Sequence, residues 1–255
     1  MKTGSKSVVN RILLGSAALV RTETGLRFLN LPCSGKRYVN AQIDDYQGLS
    51  RRDFLWRPPL ALAVRARFSH PAGSLLGTAG FGFWNDPFLM TGWRPPTLPR
   101  ALWFFHASQP SDMSLALGVP GHGWKAAVID VLRPAAAALI PAAPFFITLL
   151  QGRDLYRLVW PQLQRILNIA ERPIPVAMDG WHTYRLEWQE TSTSFWVDGE
   201  PLLMGAPAPR GPLGLVVWLD NQWMVAKPTG RLGHGLLAIP HVQWMEIADL
   251  VITRP

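Results

Sequence analysis

Short runs of apolar or alternating residues recur along most of the chain, separated by Gly, Pro, Asn and Asp. Alternation with a period of two is typical of strands that bury one face, and these punctuating residues mark turns. The pattern predicts strands near 25–31, 37–45, 59–69, 76–85, 100–108, 113–119, 123–130, 181–190, 192–198, 212–222, 232–238 and 242–253. Strands in this succession, without alternating helices, predict an all-β fold, a two-sheet antiparallel β-sandwich of the jelly-roll type.

One helical insertion, at 133–172, interrupts the β pattern. Residues 134–152 carry no charge but are broken by three prolines, so a membrane-spanning helix is not predicted there. Its second half, 153–171, has the period of an amphipathic helix. The apolar face of that helix contains Leu155, Val159, Leu163, Ile166 and Ala170. The insertion is expected to pack outside the sandwich, to cover its cleft as a lid, or to lie on a membrane surface.

The N-terminal segment 1–24 is predicted to be an extension that precedes a single domain over 25–255. Three basic residues precede an apolar run at 12–20, which resembles a short signal sequence. No small-residue cleavage site follows the run, so a cytoplasmic extension or helix is favoured over a secretory signal. A length of 255 residues suits one large all-β domain.

Composition narrows the classes of partner. Charged residues make up 16% of the chain, below the usual value of about 25%. The chain also contains 12 Trp residues, and some of their indoles are expected to line a groove. The net charge is +8, but the basic residues are scattered and no nucleic-acid-binding motif is present, which argues against a nucleic-acid partner. Cys33 is the one cysteine and the histidines have no ligand spacing, so neither a metal nor a cofactor is predicted. The sequence gives no indication of the oligomeric state.

Two adjacent predicted strands carry a resemblance to a known family. Residues 181–188 read WHTYRLEW, and residues 194–200 read SFWVDGE. This pair is similar to a hallmark of family 16 glycoside hydrolases, in the concanavalin A-like lectin/glucanase superfamily, and looser similarity extends over 56–253. The resemblance implies a two-sheet sandwich whose concave face holds a glycan.

The same resemblance argues against ordinary family 16 activity. The family's catalytic strand carries two glutamates flanking an aspartate, and retaining hydrolysis needs two carboxyl groups about 5–5.5 Å apart. The strand in the corresponding place, 100–106, reads RALWFFH and contains no carboxylate. Whether the protein is an enzyme therefore stays open.

Strand parity selects candidate residues for the cleft. Trp218 and Asp220 share one face of a strand, as do Trp84 and Asp86 of another. With His106, these residues are predicted to converge on the concave surface, the indoles as stacking platforms. Asp86, Asp220 and His106 are the catalytic candidates. Trp103, Asn221 and Trp223 are further ligand-binding candidates in case the strand faces are reversed.

Three functions remain in competition. The first is a glycan-binding or glycan-processing protein that uses the concave cleft. The second is a binder of, or an enzyme acting on, an apolar small molecule in a cleft closed by the insertion. The third is a peripheral membrane or scaffold protein that contacts the membrane surface through the basic helix 153–171. A glycan groove is expected to be open at its ends, whereas an apolar pocket is expected to be enclosed.

Overall fold

The architecture is a two-sheet antiparallel β-sandwich, in a computed structural model that describes residues 9–87, 94–132, 134 and 138–254. Within these residues each sheet has seven strands. The first sheet contains, in spatial order, β1 (Asn10–Leu14), β4 (Asn40–Asp44), β13 (Gly214–Asp220), β6 (Thr78–Trp84), β7 (Arg100–Ala107), β8 (Gly123–Asp130) and β9 (Ala170–Pro173). The predicted all-β sandwich is confirmed.

The second sheet packs against the first through the hydrophobic core. It contains, in spatial order, β12 (Glu200–Pro207), β11 (Ser192–Val197), β10 (His182–Trp188), β5 (Leu60–Phe68), β16 (Gln243–Thr253), β3 (Leu26–Asn30) and β2 (Ala17–Arg21). The core is rich in aromatic residues. Phe104 of the first sheet lies 5.1 Å from Tyr184 and 5.2 Å from Phe195 of the second, measured between ring centroids.

Outside the two sheets lie a hairpin and the helical insertion. β14 (Gln222–Ala226) and β15 (Leu232–Leu236) pair with each other. The helices of the insertion are a 3₁₀ turn (Ile140–Ala142), α1 (Ala143–Leu149) and α2 (Arg153–Ile166), and a further 3₁₀ turn spans Arg51–Asp53. Among the described residues, no helix has the length and hydropathy needed to cross a bilayer.

The distinctive strand pair at 181–200 forms the hairpins that its sequence predicts. β10 and β11 are antiparallel, with Leu186 opposite Phe195. Asp198 and Gly199 form the next turn with φ angles of 53° and 85°, the left-handed conformation that a two-residue hairpin loop requires. The Asp198 carboxylate accepts a hydrogen bond from the Thr183 amide at 2.7 Å and contacts Nδ1 of His182 at 2.5 Å. The signature residues therefore hold the hairpin together.

Two segments differ from the sequence-based expectation. Residues 10–21, expected to be an extension or a helix, form β1 and β2 and pair with β4 and β3. Residues 113–119 form no strand but a loop, held by Lys125 Nζ, which donates to the carbonyls of Met113 at 3.3 Å and Pro120 at 3.1 Å. Short apolar runs do not by themselves distinguish strand, helix and loop, so the available pairing partners decide the outcome.

Candidate functional site

The outer face of the first sheet carries an aromatic cluster, formed by alternate residues of three neighbouring strands. In the register of β13, β6 and β7, Trp218 lies opposite Gly80, which lies opposite Phe105. Because side chains alternate along a strand, the residues next to these in sequence point into the core, and the residues two positions away lie on the same outer face. The resulting aromatic floor consists of Trp84, Trp103, Phe105 and Trp218.

The rings of the aromatic floor contact one another closely. Trp84 and Trp218 are nearly parallel, at 6° with 6.4 Å between centroids. Trp103 lies 5.4 Å from Trp218 and 5.2 Å from Phe105. Gly80 makes room for this packing, because a β-carbon at that position would lie 2.8 Å from Trp218 Cη2. The floor is therefore a continuous aromatic surface on the side of the sheet that faces away from the core.

The helical insertion lies over this floor, and a half-open cavity of about 550 Å³ lies between them. The side of the cavity opposite the floor is apolar and comes from the insertion: Leu139, Ala143, Phe146, Ile147, Leu150, Trp160, Leu163 and Leu167. The remaining walls come from the β14–β15 hairpin, the 113–115 loop and the segments flanking β7 and β8: Leu98, Pro99, Met113, Leu115, Ile129, Val131, Ile169, Gln222, Met224, Ala226, Lys227, Pro228 and Leu232. The volume lies in the range of small-molecule sites, about 300–1,000 Å³.

Polar groups on the floor concentrate at one end of the cavity, where Gln42, Thr78 and Asp220 lie. In the sheet register, Asp220 is opposite Thr78 and Trp218 is opposite Gln42. Among the described lining residues, Asp220 is the one carboxylic acid and Lys227 the one cation. We call Gln42, Thr78 and Asp220 the polar end of the cavity. The site thus combines a long apolar body with a small hydrogen-bonding region.

Asp220 is buried and held by four hydrogen bonds. Its Oδ1 accepts from the Thr78 hydroxyl at 2.8 Å, the Thr78 amide at 3.2 Å and the Gln222 amide at 3.1 Å. Its Oδ2 accepts from the Tyr38 hydroxyl at 3.2 Å. Burial raises the pKa of Asp220 to about 6, against the lowering effect of these hydrogen bonds. Burial, with the nearby Asp220 charge, also raises the pKa of Tyr38, so that hydroxyl keeps its proton.

A second polar network lies beside Trp84 on strand β4, and the sequence analysis missed it. The Trp84 indole donates to the Tyr46 hydroxyl at 2.8 Å. Gln42 Nε2 donates to that hydroxyl at 3.3 Å and to Asp44 Oδ2 at 2.8 Å. The polar residues Asn40, Gln42 and Asp44 alternate along the strand, and this alternation was the available signal for a polar strand face.

Asp86 lies apart from Asp220. Asp220 is opposite Thr78, at one end of β6, whereas Asp86 follows the other end. The six residue steps from Thr78 to Trp84 span about 20 Å, far beyond the carboxyl separations of about 5–9.5 Å used by glycosidases. Asp86 instead occupies a turn with φ of 47° and forms a buried ion pair with Arg94 at 2.7 Å. A shared catalytic role for the two aspartates is therefore excluded.

His106 points into the core rather than into the cleft. Its strand β7 turns Leu102 and Phe104 inward and Trp103 and Phe105 outward, and His106 has the parity of the inward set. The imidazole Nε2 contacts the Leu75 carbonyl at 3.0 Å, and burial lowers the His106 pKa to about 4. Because no side of this ring reaches the cavity, the structure does not place His106 with the other candidates.

The remaining candidates divide between the cavity and the framework. Trp103 lines the cavity, as do Trp84 and Trp218. Asn221 joins three backbone segments, since its Nδ2 donates to the carbonyls of Arg37 at 3.0 Å and Leu237 at 2.8 Å and its Oδ1 accepts from the Val39 amide at 2.9 Å. Trp223 packs against the two glycines of β15. Of the predicted ligand-binding set, the three tryptophans of the floor are thus the members that the fold brings together.

Over the described residues, no group of three or more His, Cys, Asp or Glu side chains is placed to hold a metal ion. The described lining residues offer indole rings, amide and hydroxyl groups, the Asp220 carboxyl group with its raised pKa, and the Lys227 ammonium group.

Comparisons with known proteins find only distant similarity. No family model matches the chain, and no curated protein sequence matches it. Among solved structures, alginate lyase AlyC3 is similar at 10% identity and a TM-score of 0.40, over 90% of this chain and 74% of the lyase. The GlcNAcα1-4Gal-releasing endo-β-galactosidase from Clostridium perfringens is similar at 13% identity and a TM-score of 0.45, over 96% of this chain and 58% of that enzyme. The apo Crh5 transglycosylase is similar at 12% identity and a TM-score of 0.45, over 97% of this chain and 78% of the transglycosylase. Identities and TM-scores at this level support no inference about this chain.

Proposed function

We propose that this protein binds an apolar small molecule carrying one polar group, in the cavity between the aromatic floor and the helical insertion. The observation that carries the proposal is the lining: indole and phenyl rings on one side and aliphatic side chains of the insertion on the other, around about 550 Å³. A water-filled cavity with such walls is unfavourable, and an apolar ligand that displaces the water gains the hydrophobic free energy.

The polar end defines how the ligand is oriented. The Gln42 amide donates to Asp44 and Tyr46, and the Thr78 hydroxyl donates to Asp220. The oxygens of Gln42 and Thr78 can therefore act as acceptors toward a ligand at the edge of the floor. A few convergent polar groups in an apolar pocket fix orientation rather than supply most of the affinity. A hydroxyl or protonated carboxyl group on the ligand fits this end, with the hydrocarbon body lying over Trp103 and Trp218.

The expected affinity follows from the area that the ligand buries. A chain of ten methylenes gains about 8 kcal/mol at about 0.8 kcal/mol for each group. Part of this gain is lost in immobilising the ligand. Dissociation constants near or above about 1 μM, which corresponds to about 8 kcal/mol, are therefore expected.

Binding can be measured with a dansyl-labelled fatty acid. The three indoles of the floor transfer excitation to a dansyl group bound above them, so binding appears as sensitised dansyl emission. Ala226→Trp fills the cavity from the β14–β15 hairpin and is expected to abolish the signal. Ala61→Trp, on strand β5 of the opposite sheet, is the matched control and is expected to leave the signal unchanged.

Competition on the unaltered protein makes the test independent of how the variants fold. An unlabelled long-chain alcohol is expected to displace the dansyl probe in proportion to its concentration. Absence of sensitised emission from the unaltered protein, or emission that neither Ala226→Trp nor the alcohol reduces, contradicts the proposal.

A glycan is the second candidate ligand, and one observation favours it. Trp84 and Trp218 lie nearly parallel beside the amide of Gln42 and the carboxyl group of Asp220, an arrangement in which the C–H face of a sugar stacks on indole while its hydroxyls hydrogen-bond. Oligosaccharides are therefore added to the same assay. Quenching of indole emission by an oligosaccharide, without any effect of the fatty acid, assigns the site to the glycan instead.

A further inference from the structure

Exposed apolar side chains surround the place where the insertion meets the β14–β15 hairpin. Phe145 of α1 is 65% exposed, and Leu232 of β15 is 80% exposed. Ile147 of α1 is 37% exposed and packs against the hairpin turn, because a β-carbon at Gly230 would lie 2.6 Å from Ile147 Cγ2. Large apolar side chains at such exposure mark a surface that another apolar phase covers.

This surface is continuous with the cavity. Ile147, Pro228 and Leu232 line the cavity, and the exposed Phe145 ring lies 5.6 Å from the cavity-lining Phe146 ring. We call Phe145, Ile147, Pro228 and Leu232 the cavity mouth. Because Ile147 and Leu232 both line the cavity and are exposed, a ligand that leaves beside them meets exposed apolar side chains.

The charges around the mouth are mainly positive. Residues 134–152 contain no charged side chain. Among the described residues of the neighbouring segments, the basic ones are Arg153 and Arg157 at the start of α2 and Lys227 and Arg231 at the hairpin turn. Two carboxylates oppose these four cations, Asp154 and Asp112, the second of which is paired with Lys227. An uncharged apolar centre with a basic rim is the pattern of a surface that binds anionic membranes.

We propose that the cavity mouth docks on the surface of an anionic lipid bilayer, where Phe145 and Leu232 insert among the lipid chains and the basic rim contacts the headgroups. This assignment differs from one through the whole of helix 153–171, because Phe145 and Ile147 lie on α1 and Leu232 lies on the β14–β15 hairpin. Membrane docking itself does not depend on the proposed function. Only one consequence rests on it, namely that an apolar ligand moves between the cavity and the bilayer without crossing water.

Vesicle co-sedimentation tests the docking. The protein is mixed with vesicles of phosphatidylcholine alone or of phosphatidylcholine with phosphatidylglycerol, and the bound fraction is measured at low and high salt. Binding to the anionic vesicles is expected to exceed binding to the neutral vesicles by about tenfold or more, and to weaken as salt rises.

Variants of one exposed residue locate the contact. Phe145→Ser is expected to weaken binding to anionic vesicles about tenfold, whereas Phe145→Trp should retain it, since indole is favoured at the membrane interface. Met204→Ser is the matched control, because Met204 is 52% exposed on β12 of the opposite sheet and its loss should change binding less than about twofold.

The outcomes separate the docking surface from the ligand site. Lack of binding to anionic vesicles, or equal binding by Phe145→Ser and the unaltered protein, overturns the docking surface whatever the dansyl assay shows. Concentration-dependent dimerisation that Phe145→Ser abolishes, without vesicle binding, assigns the mouth to a second copy of the chain and also overturns it. Vesicle binding that depends on Phe145, with no sensitised dansyl emission, supports the docking surface and contradicts the ligand proposal.

Discussion

The charge on Asp220 provides a direct test of the polar end of the cavity. Burial raises the pKa of this carboxyl group from 3.8 to about 6. Between these two pH values the folded chain keeps a proton that the unfolded chain has lost, so stability falls as the pH rises through this window. At about 1.4 kcal/mol for each pKa unit, the ionised Asp220 destabilises the folded state by about 3 kcal/mol above the window.

Asp220→Asn removes this charge and leaves the hydrogen-bonding groups around it with partners. The amide oxygen can take the place of Oδ1, which accepts from the Thr78 hydroxyl and from two backbone amides. The new NH₂ group faces Tyr38, whose hydroxyl can accept as well as donate. The variant is therefore expected to be more stable than the unaltered protein by about 3 kcal/mol at neutral pH. The difference should vanish below the unfolded-state pKa of 3.8.

Urea denaturation followed by indole fluorescence, repeated over a series of pH values, measures this difference. Asp45→Asn is the comparison variant, because burial also raises the pKa of Asp45 to about 6. Its partners are the Leu215 amide and the Trp56 indole, which only donate, so the amide would place a donor against a donor. That mismatch costs about 1–3 kcal/mol and offsets most of the gain. A stability difference for Asp220→Asn that is the same in acid and at neutral pH would refute the buried-charge argument.

Two further substitutions test the packing around the site, each by its urea-denaturation midpoint. Gly80→Ala should destabilise the folded state by about 1–3 kcal/mol, because a β-carbon would lie 2.3 Å from a backbone carbonyl oxygen of β7. The control Gly73→Ala, where a β-carbon would have no atom within 4 Å, should have little effect. Equal denaturation midpoints for the two variants would contradict the packing of the floor. Glu171→Gln should destabilise by about 3–5 kcal/mol, since its carboxylate pairs with the buried Lys125 at 2.8 Å. Asp249→Asn breaks an exposed pair and should cost less than about 1 kcal/mol; similar losses for both would show that burial does not set the strength of the Glu171 pair.

The sequence was sufficient to predict the sandwich, because strand periodicity and turn residues are local signals. The hairpin at Asp198–Gly199 depends on two adjacent residues, and its turn has the predicted conformation. The helix expected at 153–171 was likewise visible from its period, but it ends at Ile166. Ala170 and Glu171 belong instead to β9, where they pair with β8. What periodicity could not show is where that helix packs, because contact with the outer face of the first sheet depends on residues distant in the chain.

Assigning faces of buried strands was harder. On β7, residues of both parities are apolar or aromatic, so the sequence of that strand alone does not distinguish core from cleft. A change of one residue moves every side chain to the opposite face, and it was this ambiguity that grouped His106 with the cleft. On β13 the polar Asp220 distinguishes the two faces of the strand, and it lies with Trp218 on the cavity side. The β1 and β2 strands were missed because their pairing partners lie elsewhere in the chain.

The insertion and the aromatic floor depend on each other for burial. Trp84 and Trp218 are each 8% exposed and Phe105 is 9% exposed, although all three point away from the core between the sheets. Without the insertion, this outer face would present a large apolar surface to water, at a cost of about 1.5–3 kcal/mol for each large side chain. The helices in turn need an apolar partner for Trp160 and Leu163, which are buried against the same region. Neither surface fills the space between them, so a ligand that occupies the cavity would complete contacts that the fold leaves unmade and stabilise the folded chain by mass action.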